Sequence, residues 1–409
     1  MPNEPSYLDK FTEELHAWSV QGKKPALASG ELRYLLDCRR KRLETRGLVM
    51  EETLEHRPEE LTGQVDRGGD PISAEVQYRE GMRNVVFRRA GKVIKKIKEP
   101  VFFYATLLNR KDYREKEISC PNCGHTAMAS EMRDGCPYCG TVFEMEDVWP
   151  VFSSYYYVPG IVDRGSYMTN IKRVLRRVFI GTFLFMGAVL YFYTNAEYPF
   201  LTRLLLSLLG AALGGGMMVF AGYYLMGLVL LGKTFREAGR ALTMIGGIRT
   251  DKKMEEKMRP YEPDFSYPYF EGRLISLLRA IAFSDRRDQL SLYEGDEDLS
   301  FLDTIVDMQY RGASKLQDFA VEDGVFHVRV KAYMDVLRYE NRMKRRDESF
   351  EVCLEKDIEA DDPGFSVQKV QCRSCGSSFD AMHRKTCPYC GQPYRLIHDD
   401  WMITSIRRR

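Results

Sequence analysis

Eight of the ten cysteines in this 409-residue chain fall into four CxxC pairs, and that spacing constrains the fold more than any other feature. The first two pairs read Cys120-Pro-Asn-Cys123-Gly and Cys136-Pro-Tyr-Cys139-Gly, the second two Cys372-Arg-Ser-Cys375-Gly and Cys387-Pro-Tyr-Cys390-Gly. Twelve residues separate the pairs in one cluster and eleven in the other. A CxxCG turn sets two thiolates around one metal, and its glycine takes the left-handed conformation of the tight turn. Two such turns face to face make a tetrahedral four-thiolate site. Each cluster is therefore expected to be a zinc ribbon, with one structural zinc ion on Cys120, Cys123, Cys136 and Cys139 and a second on Cys372, Cys375, Cys387 and Cys390. Four thiolates leave no open coordination position, so the metal is expected to staple a small module rather than to catalyse. His125 and His383 are expected at the surface, not on the metal. The clusters also read as a repeat: Trp149 follows the first by ten residues, beyond Glu146-Asp147, and Trp401 follows the second by eleven, after Asp399-Asp400.

A second constraint is the apolar block Val178–Gly232, which leaves 177 residues on each side. Val178–Thr194 is 17 residues without a charge, about 26 Å as a helix and slightly short for a hydrocarbon core of about 30 Å. Snorkelling by Arg176 and Arg177 makes up the difference. Leu204–Gly232 is 29 uncharged residues, with Ser207, Ala211 and Gly215 on one stripe where membrane helices pack closely, within the chain or against a second copy. The expectation is a two-helix transmembrane hairpin over 171–235. Lys172, Arg173, Arg176 and Arg177 before it and Lys233, Arg236 and Arg240 after it place both termini in the cytoplasm of a multi-pass cell-membrane protein. Reduced cysteine pairs on both arms agree with that orientation. No signal peptide is visible in Met1–Lys10.

The amino-terminal region, 1–115, reads as mainly helical, followed by the first ribbon at 116–150. Tyr7, Leu8, Phe11, Leu15 and Trp18 mark one helix and Leu32, Leu35, Leu36 and Leu43 another. Val86, Ala90, Val93, Ile94 and Ile97 recur at helical spacing among Arg83, Arg88, Arg89, Lys92, Lys95, Lys96 and Lys98. This predicts a basic amphipathic helix over 83–98, packed with a solvated basic face or laid on anionic headgroups. Cys38 is expected to be a small buried residue.

In the carboxyl-terminal arm, Phe270, Leu274, Leu277, Leu278 and Ile281 form a helical stripe, and Leu299, Leu302, Ile305 and Val306 predict a second helix opened by Asp296, Glu297 and Asp298. Val325–Val336 alternates as a strand, with Phe326, Val328, Val330, Ala332, Met334 and Val336 on one face and His327, Arg329, Lys331, Tyr333 and Asp335 on the other. Phe350, Val352 and Leu354 mark another. The fold class is α+β. Pro263-Asp264-Phe265-Ser266, the helix through Ser284-Asp285, the strand through Tyr333-Met334-Asp335, and a CxxCG…CPYCG ribbon ending near Trp401 resemble the Tim-forty-four-like family over roughly residues 262 to 409. Bacterial members are similar in placing such a ribbon after the domain. The resemblance implies a cystatin-like α+β cone at 262–360, a curved sheet wrapped on helices with an apolar pocket, followed by the second ribbon at 368–409. The chain departs from the mitochondrial member, the scaffold of the protein-import motor, by its membrane hairpin and its extra ribbon.

A net charge of +2 gives no global reason to expect a nucleic-acid partner, and no aromatic-basic stacking pattern accompanies the ribbons. No nucleophile motif, phosphate loop or paired catalytic carboxylates stand out, and His327 and Asp335 sit opposite the apolar face, so no enzyme is expected. The expected function is a membrane-anchored zinc-ribbon scaffold or adaptor, with protein partners on the cytoplasmic side, in protein transport or membrane-complex assembly. The alternative is a module that binds a lipid or another apolar small molecule in the cone.

Overall fold

The computed structural model describes residues 6–55, 62–67, 72–133, 135–141, 148–159, 164–193, 199–360, 367, 370–382 and 384–409. Two compact units result: residues 1–160 together with 244–409, and residues 161–243.

The first unit opens with two helices, α1 (Tyr7–Gln21) and α2 (Gly30–Glu44). Ser6 and Asp9 form a reciprocal capping box on α1, and the Ser29 hydroxyl caps α2. Of the expected apolar faces, Leu8, Phe11, Leu15 and Trp18, and Leu32, Leu35, Leu36 and Leu43, are buried, whereas Tyr7, at the first turn of α1, is exposed. Then come β1 (Leu48–Glu55), β2 (Thr62–Arg67), β3 (Ile72–Arg89), β4 (Lys92–Arg110), a small sheet of β5 (Glu117–Ser119) and β6 (Thr126–Met128), the turn α3 (Ala129–Met132), and β7 (Val151–Pro159). The main sheet is antiparallel in the order β1-β3-β4-β7, and β2 shares with β1 the long edge of β3.

The carboxyl half has α6 (Tyr267–Phe283) after the helices α4 (Arg164–Tyr193) and α5 (Phe200–Met258), then β8 (Ile305–Glu322), β9 (Val325–Tyr339), β10 (Met343–Asp357), the short β11 (Val370–Gln371) and β12 (Ser378–Phe379), and β13 (Met402–Arg408). Its sheet is an antiparallel meander, β8-β9-β10-β13. The halves repeat one plan. Each runs a meander, inserts a four-cysteine module after its long hairpin, and returns with a strand paired to the one before the insertion, β7 on β4 and β13 on β10. The two tryptophans noted in the sequence precede those returning strands: Trp149 in a small satellite cluster, Trp401 buried against Phe270 and Phe326. One continuous core joins both halves.

Several expectations are corrected. Two helices form within 1–115, but most of that region beyond α2 is sheet. The basic helix expected over 83–98 is the β3–β4 hairpin, turning at Ala90 and Gly91, both at positive φ. The inward residues are Val85, Phe87 and Ile97; their alternation is hidden by valines and isoleucines that also fit helical spacing. The helix expected through Leu299–Val306 is a single tight turn at Ser300–Leu302 running into β8. Asp298 accepts bonds from Ser300, and Glu297 from Tyr293 and Ser405, so the acidic cluster opens no α-helix. On β9 the expected inner face is buried, whereas Asp335, expected outside, is buried and paired with Arg345.

The helical unit contains Phe200–Gly222, 23 residues long and apolar enough to cross a membrane. The apolar stretch of α4, Phe179–Tyr193, is shorter. The two helices pack closely: a Cβ at Gly210 would lie 2.5 Å from Leu190, and one at Gly214 3.1 Å from Met186. The predicted stripe of Ser207, Ala211 and Gly215 is buried, with Ala211 against Gly187 and Gly215 against Phe179. That face is thus occupied within the chain.

Candidate metal centres

The eight paired cysteines gather into two groups of four, Cys120, Cys123, Cys136 and Cys139, and Cys372, Cys375, Cys387 and Cys390, each compact enough to hold a metal ion. One backbone device recurs four times. Gly124, Gly140, Gly376 and Gly391, each at φ of +71° to +75°, donate their N–H to the carbonyl of the first cysteine of their pair over 2.8 to 3.0 Å. That same cysteine's N–H bonds a carbonyl five residues on, from His125, Thr141, Ser377 or Gln392. A side chain at those glycines would strain the turn.

Across the turns the sulfurs are 3.6 Å apart for Cys120 and Cys139, Cys123 and Cys136, and Cys372 and Cys390, and 3.7 Å for Cys375 and Cys387. These are far longer than a disulfide, and a tetrahedron with metal–sulfur bonds of about 2.3 Å requires sulfurs about 3.8 Å apart. The residues fit a four-thiolate ion. In each group the first cysteine of either pair is buried and the second exposed. Within each group the thiols share protons: the Thr141 hydroxyl beside Cys139 and the Ser377 hydroxyl beside Cys375 pull those thiols down, while their neighbours Cys123 and Cys390 are pushed up. The His125 ring stacks beside Tyr138, 5.7 Å between centroids, and is not among the grouped ligands. His383 lies outside the described residues.

Sequence reasoning missed a buried ionic joint between the halves. Arg39 on α2 donates to Asp307 on β8 (2.8 Å) and Glu52 on β1 (3.4 Å). Arg83 on β3 donates to the same acids (2.9 and 2.5 Å). All four are buried. Against desolvation, the two guanidiniums hold the Asp307 carboxyl well below its ordinary range and lower that of Glu52. Glu271 on α6 accepts bonds from Tyr310 (2.5 Å) and Tyr156 (3.1 Å), one from each sheet, and desolvation pushes its carboxyl up to about 7. His327, on the outer face of β9, pairs with Glu355 at 3.4 Å.

The described residues thus form a mixed α/β body with two main sheets, two four-cysteine groups able to hold metal ions and an apolar helical unit, and no family model, curated protein or solved structure matches the chain.

Proposed function

We propose that the protein is a membrane-anchored scaffold, its two-sheet body presented to partners by α4 and α5. The carrying observation is that each cysteine group offers four thiolates, a full tetrahedral set for one ion. Such a set leaves a metal with nowhere to bind a reactant. Zinc is the ion that suits four thiolates at this spacing, and there it supplies folding free energy. Metal analysis of protein purified reduced and without chelator should give two zinc ions per chain.

The length of Phe200–Gly222 and its close packing on α4 support a two-helix membrane hairpin, and the flanking lysines and arginines favour cytoplasmic arms. α6 laid beneath a four-stranded antiparallel meander is compatible with the Tim-forty-four-like, cystatin-like cone proposed for 262–360. The partner-binding face we propose is the outer side of β9, where Arg329 is exposed and Lys331 half-exposed. Cross-linking in native membranes, with partner identification, tests the scaffold. A recurrent protein partner lost on reversing both charges supports it; recovery unchanged by the reversal removes this face. Protease added to sealed cells should spare both arms, and cleavage of either would overturn the orientation.

A further inference from the structure

We propose that the adjoining hairpin tips of the two-sheet body form a contact site for anionic phospholipid, with cations for the headgroup phosphates and exposed aliphatic side chains for the bilayer interface. The site rests on the membrane-anchored reading only for how it comes to meet a bilayer.

The Arg89 guanidinium, at the end of β3, lies 5.8 Å from the centre of the Tyr339 ring at the end of β9. The β3–β4 turn and the β9–β10 turn therefore border one surface. Arg89, Lys92, Lys96 and Lys98 are exposed on the first hairpin, and Arg342 and Arg346 on the second. Nearby acids are already engaged: Glu51 by Arg88, and Glu340 by Lys344 at 3.9 Å. Cross-strand pairing sets Val49, Arg88 and Val93 in one row, and the bulge at Phe87 and Arg88 leaves Ile94 as the extra residue. Val49 is 58% exposed, Val93 47% and Ile94 41%.

Aliphatic side chains among lysines and arginines are the composition of a surface lying at a headgroup layer. A single-stranded nucleic acid would call for exposed rings on which bases stack. Tyr339, the ring at this junction, is buried beneath Arg89 instead. An acidic peptide would use the cations and leave the aliphatic row in water.

The test uses the full chain carrying Ile94→Trp, beside the unsubstituted chain, in vesicles whose phosphatidylcholine tails are brominated, with and without phosphatidylglycerol replacing a third of the lipid. The added tryptophan emission should fall by about half in the anionic vesicles and little in the neutral ones. Adding Lys92→Glu, Lys96→Glu and Lys98→Glu should restore it, with circular dichroism unchanged. Equal emission on both lipids overturns the site, whether or not the helices insert. So does emission that responds to single-stranded RNA and not to lipid. Alkaline extraction of the same vesicles reads the helical anchor separately: a chain released by carbonate contradicts the anchor and leaves the emission result standing.

Discussion

The two metal modules share a local geometry and differ in what lies beneath them. In the first, Cys120, Cys136 and Met132 form a small cluster with Ile118 and Ala127, apart from the main core. In the second, Cys372 and Cys387 belong to the main core, with Val370, Phe379, Met382, Leu396 and Trp401. Side-chain pairs add to the second attachment: Arg395 with Glu294 (2.6 Å), His398 with Asp357 (2.5 Å), and Arg273 on α6 with Asp400 (2.7 Å). The same four-cysteine turn thus serves as an appendage in one half and as part of the wall in the other. A motif's spacing settles its ligands, whereas its energetic weight is settled by what it is packed on.

The largest test of that contrast is the loss of one ligand on each side. Cys387→Ser should cost several kcal/mol, since the metal's binding free energy, on the order of 10 kcal/mol in small zinc modules, is folding free energy there. Hydrogen exchange should speed up beyond the module, in β10 and β13. Cys136→Ser should confine faster exchange to 116–148 and leave β4 and β7 protected. Equal spread from both substitutions would break the comparison.

Next in size, Arg273→Met removes the cation that bridges Glu31 on α2 and Asp400 in the second module. Leaving mostly buried acids without their cation should cost about 3 kcal/mol, read by denaturant unfolding. A loss below about 1 kcal/mol would mean that apolar packing alone holds the second module.

The seam between the halves gives a pH test. The Glu271 carboxyl is raised from 4.5 to about 7 on folding, so between those values the folded state holds a proton that the unfolded state has lost. Its contribution to stability is therefore full below pH 4.5, declines as pH rises, and is lost above about 7. Glu271→Gln should flatten that decline, by about 2 kcal/mol between pH 5 and 7. Parallel pH profiles for the two proteins would show the group unperturbed.

Smallest is the effect expected at the knuckle tyrosines. Tyr138 is 79% exposed and Tyr389 69%, at matching positions in the two modules. Alanine at either should change stability by about 0.5 kcal/mol or less, measured by thermal unfolding. A larger loss at Tyr389 alone would extend the asymmetry to the metal's outer side.

How much of the molecule is legible in the sequence depends on the range of each signal. The cysteine turns span four or five residues, and their ligands emerge as grouped. The α1, α2 and α6 faces and the β9 alternation are also local and readable. The β3–β4 hairpin reads as a helix because Val86, Val93 and Ile94, which lie off the buried face, join Ile97 in a helical period. They mask the alternation of Val85, Phe87 and Ile97, and Ala90-Gly91 is a weak turn signal. β7 carries a readable sign in Val151–Val158, rich in tyrosine and valine. The ionic joint has none: Arg39 and Asp307 are 268 residues apart, and only the meeting of two sheets makes partners of them. A strict period of two places Asp335 outside, and it fails where β9 is covered on both faces.

Each module stands between a strand and that strand's last partner, so the 40 residues 111–150 and the 44 residues 358–401 must be gathered before either sheet can close. Bringing the ends of such loops together costs entropy that grows with the logarithm of their length. An ion held between Cys120 and Cys139, or between Cys372 and Cys390, would tie up about half of its loop and shorten the search for the fourth strand. Refolding from denaturant with and without zinc should accordingly differ most in the phase that pairs β7 and β13. A zinc-dependent phase of that kind would tie the order in which the two sheets close to the arrival of the ion.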